Sequence, residues 1–416
     1  MAILNTDGKT VVRLLLREGE AVSPHGPVKI PLPPRLRVLP LKGYRSQEKR
    51  VRSFLKKTFE LKRDARTELS SVYHAVGQNP GDYSTSFQLE LDPGTPSATA
   101  ARRIHQTLLK NLLANLEGVT RNWDPEFLHD FRVAIRRTRS ALNQLKGLFP
   151  EAEVEHFSEE FRWLGAKTGP GRDFDVYLLK IPAYREALHP GAQKDLEPLV
   201  QLLQKKRAVE QGKLRGLMRS RRFHGLLEDW GTFLEEPDAP DSDLPNAHRP
   251  IRELASERIW KAFTKVLREG GKTSRATSAR ALHRLRIRCK KLRYLITFFR
   301  TLYPADELKP FIAELKRLQD HLGDFNDLQM QQEALHRFAE EMLATKTGPP
   351  ATLLAMGQLM GQLEGQQIVE REAFHRHFRQ FSRPRNQKRF RKLFGPEPGN
   401  AEPGNEPIPP AAEEHL

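Results

Sequence analysis

A chain of 416 residues with 38% hydrophobic and 29% charged residues is long enough to bury a sizeable core over two or three domains. Its formal net charge of +17 points to a polyanionic partner: nucleic acid, an anionic membrane surface or polyphosphate. The single cysteine, Cys289, excludes an internal disulfide and fits a reducing compartment, and no run of about 18 apolar residues is present to span a membrane.

Residues 1–96 read as a small α+β module. Arg13 and Arg17 interrupt the first apolar run, so no secretory leader is read there and a cytoplasmic location is expected. Lys9 to Arg17 and Arg35 to Leu41 are rich in Val and Leu and bounded by Gly and Pro, which predicts two strands. Pro24, Pro27, Pro31, Pro33 and Pro34 predict a loop between them. Ser46 to Ser71 is helix-like, and the alternation of Ser84 to Leu91 predicts a further strand.

From Ser97 to Phe394 the pattern is helical. Ser97 is read as the N-cap of a helix to about Val119, and Asp124-Pro125 opens the next, which Gly147 and Pro150 close. Further helices are expected over Glu151 to Lys167, from the turn at Gly169-Pro170-Gly171, and over the basic stretch Gln201 to Trp230. Glu235 to Pro250 is acidic and Pro-rich, an exposed linker between a first repeat (97–234) and a second (251–394). The second repeat should place helices at Ile251 to Arg268, from Ala279, at Asp306 to Leu322, at Asp324 to Thr345 and at Ala351 to Phe381. Residues 395–416 hold five glutamates, six prolines and no Lys or Arg, the composition of a disordered tail.

The two repeats declare themselves in one stretch. LHDFRVAIRRTRSALNQLKGLFP, from Leu128, returns 154 residues later as LHRLRIRCKKLRYLITFFRTLYP, and the offset holds on to Gly169/Gly323 and Asp173/Asp327. On a helical wheel, His129, Arg132, Arg136 and Arg139 share an arc of about 80°, as do His283, Arg286, Lys290 and Arg293. Arg137 and Lys291 accompany them. Phe131, Ile135, Leu142 and Leu145 form the adjoining apolar face, matched by Leu285, Cys289, Leu292, Ile296 and Phe299. Solvation of a helix surface asks only for charge. Two copies that keep a His and cations at one spacing, His-x-x-Arg-x-x-x-Arg/Lys-Arg/Lys-x-Arg, ask for a ligand.

These helices, with the GPGRDFDVYL and LGDFNDL segments, make the chain resemble the CHAD family, the conserved-histidine α-helical domain, over about Ala98 to Phe394. The resemblance implies a mainly α fold of two four-helix bundles related by a pseudo-two-fold. It also implies a basic surface that binds inorganic polyphosphate, and it leaves room for a granule-associated role in which that face docks on polyphosphate or polyester storage bodies. Residues 1–96 resemble the later part of a CYTH-type domain, a triphosphate-tunnel fold, in degenerate or truncated form. The ExExK signature whose glutamates hold a metal there is missing, since the only early acids are Asp7, Glu18 and Glu20.

A linear polyanion calls for many cationic contacts along its length, Arg giving a planar fork and Lys a point charge. His129 and His283 add neutral donors that charge at lower pH. Lys205, Arg207, Lys261 and Lys265 are candidates to widen the groove. Asp173 and Asp327 are read as helix-start residues paired with arginines and not as general bases. No nucleophile motif, metal-ligand spacing or phosphate-cradling Gly-rich loop is present, so binding without catalysis, cofactor or metal is expected. Two other readings stand beside it: a phosphohydrolase acting on phosphoanhydrides, and a general nucleic-acid or polyanion binder, for which nucleic acid would be more than a weak competitor. Tyr294, Trp260 and Trp163 are the only aromatics beside the stripes that could stack on bases.

Overall fold

In a computed structural model, described over residues 1–22, 29–64, 70, 72, 87–236, 243–274 and 276–396, the chain divides into two compact units, Met1–Ser84 and Thr85–Leu416. In the first unit, the Val- and Leu-rich segments pair as an antiparallel sheet in the order β1 (Ala2–Leu4), β2 (Thr10–Val22), β3 (Lys29–Pro40), with Leu14 opposite Val38. Pro31, Pro33 and Pro34 therefore lie in a strand and not in a loop. Among the described residues β3 pairs on one side alone, where a missing N–H costs no ladder bond. Pro24 and Pro27 lie outside the described residues. Helix α1 (Arg45–Phe59) ends where Glu60 turns left-handed at φ 52°, shorter than the pattern suggested, and it sets Leu55 against Val11, Val12 and Leu14.

The segment expected as a further strand behaves differently. Residues 84–86 lie outside the described residues, and Phe87 to Leu91 form no strand. Phe87 and Leu91 instead sink into the core of the helical unit, and Thr301 fixes the backbone between them by accepting from Leu91 N (3.4 Å) and donating to Leu89 O (3.1 Å).

The first repeat builds α2 (Ser97–Arg121), α3 (Pro125–Gln144), α4 (Glu151–Lys167), α5 (Gly169–Ala187), α6 (Glu197–Met218) and α7 (Arg221–Glu235). The second builds α8 (Ile251–Gly270), α9 (Ala279–Phe299), α10 (Ala305–Ala344), α11 (Pro350–Phe381) and α12 (Pro384–Phe394). Asp124 caps α3 by accepting from Glu126 N at 2.7 Å, with Pro125 in the first turn, and Ser278 caps α9. The basic stretch after Gln201 is two helices and not one, because Ser220 caps a new start at α7.

The repeats differ most at one joint. In the first, Gly169-Pro170 separates α4 from α5. In the second, Gly323-Asp324 stands at the same place and α10 runs straight through for 40 residues, where two helices were expected. Pro170 cannot donate and crowds the residue before it, whereas Asp324 keeps its N–H and the ladder continues.

The linker is only partly exposed. Residues 237–242 lie outside the described residues, but Asp243 to Pro250 is stitched to the first repeat. Ala98 N donates to Ala247 O (3.0 Å), Ser97 N to Arg249 O (2.9 Å) and Asn246 N to Gly147 O (3.1 Å), and Ala247 is buried. Gly147 holds φ +74°, and a Cβ there would approach Asn246 Nδ2 to 2.8 Å, so this turn requires glycine. The tail from residue 397 lies outside the described residues.

Two cores result. The larger collects α2, α3, α4, the end of α6 and α7 with α8, α9, α12, the first half of α10 and the end of α11. The smaller is shared between the repeats: α5 and α6 pack with the second half of α10 and the first half of α11, through Tyr184, Leu199, Leu335, Phe338 and Met356. Tyr184 donates to Gln331 Oε1 at 2.6 Å across that seam. His105 is fully buried edge-on to Trp230, and burial pushes it down to about 3, so it is a neutral packing residue.

Candidate anion-binding site

Sinking the apolar faces of α3 and α9 into the larger core fixes where their charges go. Phe131, Ile135 and Leu142 are buried, as are Leu285, Cys289, Leu292, Ile296 and Phe299. Burial also pushes the Cys289 thiol up, which makes it a packing group. His129, Arg132, Arg136, Arg137, Arg139, Arg286, Lys290, Lys291 and Arg293 are left half-buried, and His283 exposed.

Helices α3 and α9 pack against each other, and Gln144 Nε2 reaches Lys291 O at 3.4 Å. This contact brings the two stripes into one electrostatic field. Burial first, then Arg286 and Arg136, push the Lys290 ammonium down to about 8, against the pull of Asp327. Arg136 and Lys290 are the same position of the two repeats, and each lies on one of the two packed helices, near enough for the Arg136 charge to act on Lys290. Arg137 is lowered by burial and feels Tyr294, Arg293 and Arg136. Buried Nε atoms of Arg136, Arg137 and Arg286 have no hydrogen-bond partner among the described residues.

The remaining members are held in place by neighbours. Arg132 Nη1 donates to Gly165 O (2.7 Å) and Thr168 Oγ1 (2.9 Å), closing the end of α4 at the joint before Pro170. Arg286 donates to Asp327 Oδ1 at 3.1 Å, and His283 is hydrogen-bonded to Asn326. His129 is lowered by burial and by Arg172 and Arg136, with Glu126 and Asp130 opposing, so it stays neutral near pH 7 without an anion. Arg139 is lowered by burial and by Arg162.

Asp173 is raised by burial, against the pull of Arg132, Arg337 and Arg172. Asp327 pairs with Arg286 as expected, but it lies in the middle of α10 and caps nothing. Arg172 and Arg337 were missed in the sequence. Arg172 stands beside Asp173 in the quoted motif and was legible. Arg337 belongs to the second repeat and reaches the first across the shared core, which no pattern within one repeat can reveal.

Not every candidate joins the stripes. Arg207 is committed to the buried Asp175 and to Asn122 Oδ1 (3.0 Å), so its charge is spent inside the fold. Lys205 is exposed on α6. At about 100° per residue, Lys291 points well away from Lys290. It lines a different pocket, which also holds Lys261 and Lys265. Among the described residues no cluster of three or more His, Cys, Asp or Glu could hold a metal, and no helix is long and apolar enough to cross a membrane.

With this geometry established, the CHAD domain profile matches residues 103–336, more than half of the 416 residues. The chain belongs to the CHAD family. The CHAD domain from the plant Ricinus communis has a similar structure, with a TM-score of 0.58, 24% identity and coverage of 72% of this chain and 97% of that one. PptA from Streptomyces chartreusis aligns at a TM-score of 0.51 and 19% identity, over 68% of this chain and 99% of its own. Both likenesses speak to the fold. Uncharacterized proteins from two strains of Mycobacterium tuberculosis are 26% identical over 261 residues, 62% of this chain. The chain spans about half the length of these curated relatives, 47%.

Proposed function

We propose that the CHAD unit binds inorganic polyphosphate along the joined α3–α9 face and holds it without cleaving it. The observation that carries this reading is the packing of α3 on α9, which gathers the two cationic stripes on one face, with the Lys290 charge opposed by Arg286 and Arg136 and only partly offset by Asp327. A chain of phosphates supplies negative charge continuously, at a spacing suited to cations one helical turn, about 5.4 Å, apart. Half-buried arginines with unsatisfied Nε groups are prepared to donate to phosphate oxygens.

The test is affinity for long-chain polyphosphate measured on Arg136→Gln and Lys290→Gln. A charge-assisted contact contributes roughly 1.5–3 kcal/mol, so each variant should bind at least tenfold more weakly with unchanged helical content. Retention of wild-type affinity by both would overturn the reading. Single-stranded DNA should compete poorly at equal phosphate concentration, and equal competition would make this a general polyanion binder. Incubation with Mg²⁺ or Mn²⁺ should leave the chain length unchanged, whereas release of orthophosphate by pure protein would make it a hydrolase.

On the same reading the protein is cytoplasmic and associates with polyphosphate or polyester storage granules, and a tagged chain should colocalise with them. On this reading the first unit is a degenerate CYTH-like remnant that lacks the ExExK glutamates. Glu18→Gln with Glu20→Gln should accordingly leave polyphosphate binding and its metal response unchanged.

A further inference from the structure

We propose that the protein carries a second, separate anion site on the far side of α9, which takes a compact oligophosphate of two or three phosphates. A cavity of about 320 Å³ opens between α8, α9 and the end of α3, and its cations are Lys146, Arg258, Lys261, Lys265, Arg288 and Lys291. Three walls supply them. Arg258, Lys261 and Lys265 follow one face of α8, Arg288 and Lys291 one face of α9, and Lys146 stands just beyond α3.

Two carboxylates oppose these six cations. Glu257 meets Lys261 at 3.0 Å and Arg258 at 3.9 Å, but it also holds Arg249 at 2.9 Å, and Glu269 meets Arg288 at 3.0 Å. Among the described residues Lys146, Lys265 and Lys291 have no carboxylate within ion-pair distance, and the buried Nε of Arg258 has no acceptor. Burial, with Arg288, Lys265 and Lys146, lowers the Lys291 ammonium. Like charges gathered in a concavity raise the energy of the empty protein, and a bound anion of several charges removes that cost. The end of α3 adds a weak partial negative charge, small beside an excess of about four cations.

The fold does not require these charges. Helices α2 and α8 begin 154 residues apart, the same offset as the signature helices, and the first-repeat counterparts of Arg258, Lys261, Lys265 and Arg288 are Ile104, Thr107, Asn111 and Ala134. Four of the six pocket cations are therefore additions of the second repeat, on a helix pair that the first repeat builds without them. Its volume, at the low end of the roughly 300–1,000 Å³ of small-molecule sites, suits a short oligophosphate and not a nucleic-acid strand. Arg forks beside Lys ammonium groups suit phosphate oxygens, and an excess of about four cations favours an anion that carries several charges in a small volume.

This proposal does not depend on the α3–α9 face binding polyphosphate. The experiment titrates sodium tripolyphosphate into the full-length protein by calorimetry, with Lys265→Gln/Lys291→Gln and Arg136→Gln/Lys290→Gln as the two variants. The first pair should weaken tripolyphosphate at least tenfold and the second less than threefold. No loss in the first pair, or equal loss in both, would overturn the second site. Thermal melts supply a check on folding: Lys265→Gln/Lys291→Gln should melt no lower than wild type and should lose the upward shift that tripolyphosphate gives the wild type. A pair that melts lower without ligand would mean the lysines serve packing, and the proposal falls. Long-chain polyphosphate separates the sources of the ligand. Weaker binding by the Lys265/Lys291 pair means the pocket takes a chain end, and unchanged binding means it takes a free oligophosphate. If long-chain affinity is indifferent to the Arg136/Lys290 pair while the pocket behaves as stated, the α3–α9 reading alone fails.

Discussion

Lys290 reports on the site most directly, because its proton is already loosely held. Its ammonium sits near 8 in the folded protein against an ordinary 10.5, through burial, Arg286 and Arg136. A base depressed by folding is protonated more fully in the unfolded chain, so stability rises with pH between about 8 and 10.5 as the folded protein sheds this charge first. An anion reverses the balance by stabilising the ammonium. Polyphosphate binding at pH 8 should thus be accompanied by uptake of ~0.5 proton at this residue. Calorimetry in two buffers of different ionisation enthalpy measures it, and the uptake should shrink in Lys290→Gln. His129, lowered by burial, Arg172 and Arg136, should gain charge in the same sense at lower pH.

Among the helices, the joint between α4 and α5 and its unbroken counterpart in α10 invite a direct exchange. A Cβ at Gly323 meets nothing within 4 Å, so Gly323→Ala should stabilise the protein by about 0.5–1 kcal/mol in urea unfolding. Gly323→Pro should cost about 3 kcal/mol or more, because it removes a ladder bond and crowds the preceding turn. If proline is tolerated there, the difference between the repeats has another origin. Much at this scale was legible: the helix start at Asp124 and the apolar stripes of α3 and α9 follow from local pattern, and that Asp327 pairs with an arginine follows from its place in the repeated motif, though not which arginine. The fate of cations was less so. Arg207, Lys261, Lys265 and Lys291 all look alike as exposed helical charge. What separates them is which neighbour each meets: a buried carboxylate for Arg207, a pocket of other cations for the three lysines. Phe87 and Leu91 misled for a related reason, since alternation describes any chain with one buried face.

For the molecule as a whole, the 154-residue offset disclosed the doubling, yet it could not disclose how the halves interlock. The smaller core draws α5 and α6 from one repeat and α10 and α11 from the other. The 40-residue α10 enters both cores, with Leu315 and Leu318 in the larger and Leu335 and Phe338 in the smaller. A continuous backbone ladder through two cores means that neither can melt without fraying a helix the other needs. The two repeats, though they look like a gene written twice, should therefore unfold as a single thermodynamic unit. Amide exchange along α10 should show comparable protection at Leu318 and Leu335, closing on the same global free energy and not on two separate steps.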